Sequence, residues 1–365
     1  MKNIATLLVA LVLSTGMVFA QSNEYTLEQT GNDNNASATQ IGLENEAFIQ
    51  QGGFGGGSVQ SNNATAVIEQ VGAHNDARIN QRQGWPGGTL PSLHTISQEG
   101  QRNEAFLETF NGANDGHIMQ LGLDNIAQGR QSSEGGFISI SQTGDVNTAD
   151  ADQLQSSGAS AVIVQEGSEN IAETYQRGGD NAMEIGQYGV SNTARSHQNG
   201  AGNLGVIYQE GVNHTGSQWV SGDDNTVIQS QTGERNRQRL EITGSGNTYV
   251  AAQDGQRNQA YVNSRGTGPG DNTLSAYNSV MDLHQEGSNL LVSGSMGGDG
   301  NTLIIHQAGS DHTISGGMGM YDAAGFTVMG DGNFLQMQQY GDSHNATATV
   351  LGDGNTSTVL QIGSN

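Results

Sequence analysis

An all-β fold, a β-solenoid of stacked strand-turn-strand coils, is predicted by three features of the chain. A Gly-centred turn unit returns every eleven residues; the segments between turns alternate small or apolar with charged residues; and Gln recurs every 22 residues where Gly and Asn also repeat. The clearest stretch runs from Gln165 to Ala260, where the turn glycines are Gly167, Gly178, Gly189, Gly200, Gly211, Gly222, Gly233, Gly244 and Gly255. One shared frame for nine glycines is not an accident of composition, even in a chain holding 55 of them. Helix is the competing reading and fails, because a Gly in each unit costs a helix about 1 kcal/mol against Ala and no apolar i, i+4 stripe offsets it.

One unit shows how the rest work. In Asn170-Ile-Ala-Glu-Thr-Tyr-Gln176, residues Asn170, Ala172, Thr174 and Gln176 share one face at period two, while Ile171, Glu173 and Tyr175 share the other. The small and amide face is placed inward, and Glu173, Glu184, Arg195, Arg237 and Arg239 outward. Seven residues of strand and four of turn account for the eleven. Two such halves make a coil of 22 residues, because the halves differ: Gln165, Gln187, Gln209, Gln231 and Gln253 keep the amide, whereas the alternate set drifts from Gln176 and Gln198 to Val220 and Ile242. A buried amide without partners costs about 1–3 kcal/mol. Stacking coil on coil supplies the partner, a Gln over each Gln, in an amyloid-like arrangement. The predicted ladder is Gln165, Gln187, Gln209, Gln231 and Gln253, with Asn170, Asn192 and Asn236 at strand starts.

From the N-terminus, Lys2 and the apolar run Ala5–Leu13, then Val18-Phe-Ala20, read as a signal peptide over residues 1–20. Residues 21–365 form the repeat domain, with Gly-rich insertions near 52–58, 84–92, 132–136, 264–271 and 316–325. The interruption around Arg265–Gly270 is the expected bulge or hinge. After Val359-Leu-Gln361 the chain ends on a bare turn, so a strand edge is expected to be open to pairing. Without Cys there are no disulfides, as suits a stack closed by backbone ladders, and periodicity outweighs the disorder that 33% hydrophobic content would suggest. A formal charge of −24 argues against nucleic acid or anionic lipid as partner.

Gln-x-Gly-x-x-Asn-x-Ala-x3-Gln, as in Gln165–Gln176 and Gln187–Gln198, resembles the curlin repeat of curli subunits. The resemblance spans nearly all of the chain after residue 20. It implies a secreted, extracellular functional amyloid at the cell surface: a structural subunit, closer to the major one than to a nucleator, that assembles end to end with itself into biofilm fibres. It further implies an outer-membrane secretion machinery and a related nucleator as partners. The chain departs from the pattern in its many repeats, its Asn at most strand starts and its Gly-rich insertions.

The search for chemistry gives no catalytic, cofactor or metal site and no small-molecule substrate. His214, His312 and His344 fill the Asn slot of their units and read as polar substitutions in the ladder. Gly297–Asn301, Gly330–Asn333 and Gly352–Asn355 look like calcium-binding repeats but follow eleven rather than nine residues, so they read as turns. The alternative to self-assembly is a monomeric solenoid, a surface adhesin or ice-binding protein. Thr193, Thr226 and Thr248 begin outward strands, but Arg, Glu, Ile and His break any Thr grid.

Overall fold

Gly and Asn at each bend, and β-capable residues between, fold the chain into parallel strands with no helix among the described residues. The computed structural model describes residues 22–52, 63–82, 91–110, 113–132, 134–263, 276–314 and 325–363. The signal-peptide reading of 1–20 lies outside these, as does most of the inserts near 52–58, 84–92, 264–271 and 316–325. No described helix is long and apolar enough to cross a membrane.

The chain divides into two compact units, residues 1–146 and 147–365. In each, successive strands alternate between two parallel sheets whose inner faces pack together, so one coil is two strands and two bends: a β-solenoid. In the first unit, Asn35–Leu43, Ala64–Ala73, Ser92–Gln101, Asp115–Leu123 and Phe137–Asp145 build one sheet; the second begins with Glu24–Gln29 and Glu46–Gln51. In the second unit, Ala182–Val190 pairs in register with Leu204–Val212, Gln187 against Gln209 and Gly189 against Gly211. Across the coil, Thr193–Asn199 pairs with Thr215–Ser221.

Burial follows the period-two pattern. Asn170, Ala172, Thr174 and Gln176 are buried while Glu173 is exposed, and Glu184, Arg195 and Arg237 also face solvent. In the second unit the core turns apolar toward higher residue numbers, where Val220, Leu240, Ile242, Met296, Val328 and Val350 pack in one cluster. Inward glycines make room for a large neighbour on the next rung. A Cβ on Gly294 would stand 2.2 Å from the Phe326 ring, and one on Gly116 would stand 2.7 Å from the His94 ring.

One feature differs from the sequence reading. The turn is not a four-residue loop in both halves: Ala182–Val190 has nine strand residues and runs through Gly189, whereas Thr193–Asn199 has seven. Gly189 at φ 123° stays extended in the mirror-β region, so the ladder continues through it and the chain bends at Ser191, whose φ is 57°. The bulge or hinge expected around Arg265–Gly270 lies outside the described residues, and the flanking ladders run without a break. Thr248–Gln256 pairs in unbroken register with Val280–Ser288, and Gln259–Asn263 and Ala276–Tyr277 both lie along Leu291–Asp299. The described residues on either side of 264–275 therefore share one strand position. Thr313–Ile314 and Phe326–Met329 bracket the 315–324 insert in the same way.

Candidate functional site

The interior of each coil is an amide ladder closed by turn carbonyls. Gln165 Nε2 donates to Gln187 Oε1 at 2.8 Å, Gln187 to Gln209 at 2.8 Å, Gln209 to Gln231 at 2.8 Å, and Gln231 to Gln253 at 3.0 Å. The series goes on to Gln285, Gln307, Gln339 and Gln361. The second N–H of each amide crosses the coil to the opposite sheet: Gln187 to Ile171 O at 3.0 Å, Gln209 to Thr193 O at 3.0 Å. One side chain thus ties together two rungs and two sheets. In the first unit Gln40, Gln70, Gln98, Gln120 and Gln142 do the same. Sequence spacing along the ladder rises from 22 to 30, 28 or 32 where the inserts near 52–58, 84–92, 264–271 and 316–325 intervene, yet the amide contact stays between 2.7 and 2.9 Å. The stretch near 132–136, expected as an insert, adds nothing, because Gln120 and Gln142 keep a spacing of 22.

The second ladder is shorter. Gln153 Nε2 reaches Gln176 and Gln176 reaches Gln198, both at 3.0 Å, and Val220 then lies in register with Gln198.

Asn guards the bends. Asn170 Nδ2 donates to Gly189 O at 3.0 Å, Asn192 Nδ2 to Gly211 O at 3.1 Å, and Asn236 Nδ2 to Gly255 O at 3.1 Å. The Asn170 Oδ1 in turn accepts the Asn192 backbone N–H at 3.1 Å. The turn glycines are set so tightly that a Cβ on Gly167, Gly178, Gly189, Gly200, Gly211, Gly222, Gly233, Gly244 or Gly255 would stand 2.2 Å or less from a carbonyl of the next rung. The second positive-φ position, two residues on, was not singled out in the sequence. It holds Glu169, Asp180, Ser191, Asn213, Asp224, Arg235 and Arg257. Its signal was faint because it accepts many residue types.

Histidine in the Asn slot mimics the amide. His214 Nε2 meets Glu210 O at 3.1 Å while its Nδ1 accepts the Asn236 N–H at 3.3 Å; His312 repeats both contacts, and His344 repeats the first, with its Nε2 2.8 Å from Tyr340 O. Burial lowers the pKa of His214. The Asp-Gly-Asn turns are likewise engaged: Asp331 and Asp353 accept the backbone N–H of Asp299 and Asp331, each at 2.9 Å. Thr193 lies beside Thr215 and then Arg237, and Thr226 beside Thr248 and then Val280, so the outward Thr run in pairs rather than a grid. Arg239 pairs with Glu241, and Arg237 lies 5.4 Å over the Tyr261 ring.

At the outermost described rungs the interior is half open. Gln40 and Gln361 are half-buried, whereas Gln187 and Gln209 are fully buried. Thr356–Ile362 has one strand neighbour, Phe334–Asp342, among the described residues, and Leu360 and Ile362 are 56% and 71% exposed. The ladder is also polar. Each Nε2 donates toward the higher-numbered rung, so the rung of Gln40 presents an acceptor and that of Gln361, bound to Asn345 O, presents a donor.

Fold and interior together define a parallel β-solenoid of amide-laddered coils. Residues 330–363 match the curlin associated repeat, so the chain carries that family's repeat. No curated protein matches the chain. The match covers Gln339, Gly341, Gly352, Asn355 and Gln361, which occupy the ladder and turn places held by Gln187, Gly189 and Asn192 earlier in the same unit. Repeat and fold point to a structural protein rather than an enzyme.

Proposed function

We propose that the protein is a secreted structural subunit, cleaved after residue 20, that assembles end to end into curli-like amyloid fibres outside the cell. The polar amide ladder carries this reading, since each rung offers the next the same donors and acceptors. A polar ladder with acceptors at one end and donors at the other is complementary to a second copy of itself. Heterologous head-to-tail contacts of that kind propagate rather than close. An incoming chain would add strands to the exposed edge, with backbone bonds supplying affinity and stacked Gln and Asn supplying register. The curlin repeat supports the fibre and cell-surface assignment, and with it an outer-membrane export machinery and a nucleating partner. Outward Glu173, Glu184 and Arg195, with Arg195 paired to Glu173 at 2.8 Å one rung away, keep the sheet faces soluble against lateral association.

Sedimentation velocity and electron microscopy of the purified chain lacking residues 1–20 test it. Fibres should form after a lag at about tens of micromolar, the range in which open strand edges associate. A stable monomer over days would overturn the assignment.

A further inference from the structure

On the outer face of the second unit, stacking brings together residues that their sequence spacing keeps apart. His284 and Glu286 sit two residues apart on Val280–Ser288, and His306 lies in register with His284 on the adjacent strand Thr302–Ser310. The His284 and His306 rings are 5.1 Å apart, and one ligand atom from each of His284, Glu286 and His306 falls within 4.8 Å of the others. His306 is the held member of the set. Its Nδ1 is 3.0 Å from Tyr340 Oη, and the Tyr340 ring meets it edge-on at 5.3 Å. That contact fixes the ring and leaves Nε2 as the free coordinating nitrogen, and Nε2 is buried with no hydrogen-bond partner.

We propose that His284, Glu286 and His306 form a binding site for a divalent transition-metal cation of the zinc or copper class, clipping two neighbouring rungs together. Two imidazoles and a carboxylate suit such cations and not calcium, which takes oxygen ligands. Metal–ligand bonds of about 2.0–2.2 Å require the set to draw in from its present spacing. The exposed Glu286 side chain is free to swing, while the Tyr340 contact keeps His306 in place. Tyr340 is the outer partner that orients a ligating imidazole. Asp282, on the same face of the strand and exposed, adds negative charge beside the site.

Calorimetric titration of freshly prepared chain with Zn2+, and with Ca2+ in parallel, tests the proposal. The expected result is one Zn2+ per chain and no comparable Ca2+ binding. The pair H284Q/H306Q should abolish the site, and Tyr340→Phe should weaken it about tenfold, the usual effect of losing such a partner. All the altered side chains face outward, so far-UV circular dichroism should be unchanged. Electron paramagnetic resonance of the Cu2+ form should show two imidazole nitrogens. No Zn2+ binding by the wild-type chain, or binding unchanged in the folded H284Q/H306Q variant, would overturn the proposal.

Discussion

At the residue scale, Gly189 carries two constraints that a side chain cannot meet together. Its φ of 123° lies where L residues are strained, and a Cβ would stand 2.1 Å from Gly211 O. Gly189→Ala is therefore expected to cost more than about 2 kcal/mol, since the backbone strain alone is about 1–3 kcal/mol. Ser191→Gly, at the neighbouring positive φ of 57°, relieves strain while adding chain entropy and should stay within about 1 kcal/mol of wild type. Denaturant midpoints of the two variants give the comparison. Gln187→Leu removes the acceptor of Gln165 and the donor to Gln209 and Ile171 O. Stranding buried amide groups at about 1–3 kcal/mol each, it should destabilise the second unit far more than Glu184→Gln on the outer face. The ladder glutamines and turn glycines were legible because period 22 repeats them. Ser191 was not, since the left-handed region there is imposed by the bend and tolerates Glu, Asp, Arg or Asn alike. His284 and His306 escaped notice for another reason: metal motifs are sought along one strand, and these residues meet only across two.

At the scale of the strand and coil, the inserts show that the stack tolerates additions where it does not tolerate shifts. A one-residue slip would turn the buried face outward, whereas the extra residues between Gln253 and Gln285 leave these two amides in contact at 2.7 Å. Composition marks the inserts but leaves the one around Arg265–Gly270 as either a bulge or a hinge, because a sequence reveals where a frame breaks and not whether the flanking rungs rejoin. Deleting residues 265–274, the ten by which the Gln253–Gln285 spacing of 32 exceeds the usual 22, should therefore leave hydrogen-exchange protection of Thr248–Gln256 and Val280–Ser288 unchanged. In the first unit, His94 is wholly buried, with Gln81 Nε2 and Thr109 Oγ1 each 2.6 Å from a ring nitrogen. Burial pushes its pKa down to about 4. The unfolded chain, with His near 6.5, takes up a proton that the folded one refuses. Stability is thus full above about pH 6.5 and falls as pH drops toward 4, by on the order of 3 kcal/mol. Amide exchange in Ser92–Gln101 should speed up across that window in the wild type and much less in His94→Gln.

For the whole molecule, the proposed fibre would use between chains the same bonds that hold rung to rung inside one chain, because nothing chemical distinguishes an internal neighbour from an incoming copy. In the proposed fibre, folding and assembly are one reaction at two scales. The polarity of the ladder is not legible in the sequence, since Gln is both donor and acceptor and only the fold fixes which group faces which rung. The most direct test is solid-state nuclear magnetic resonance on fibres grown from a mixture of chains labelled with 15N and chains labelled with 13C. Contacts between glutamine side chains of different molecules, lost when Gln361→Leu is carried by the donor chain, are the predicted result. Fibres in which every glutamine contact stays within one molecule, or a sample that remains monomeric, would contradict the account.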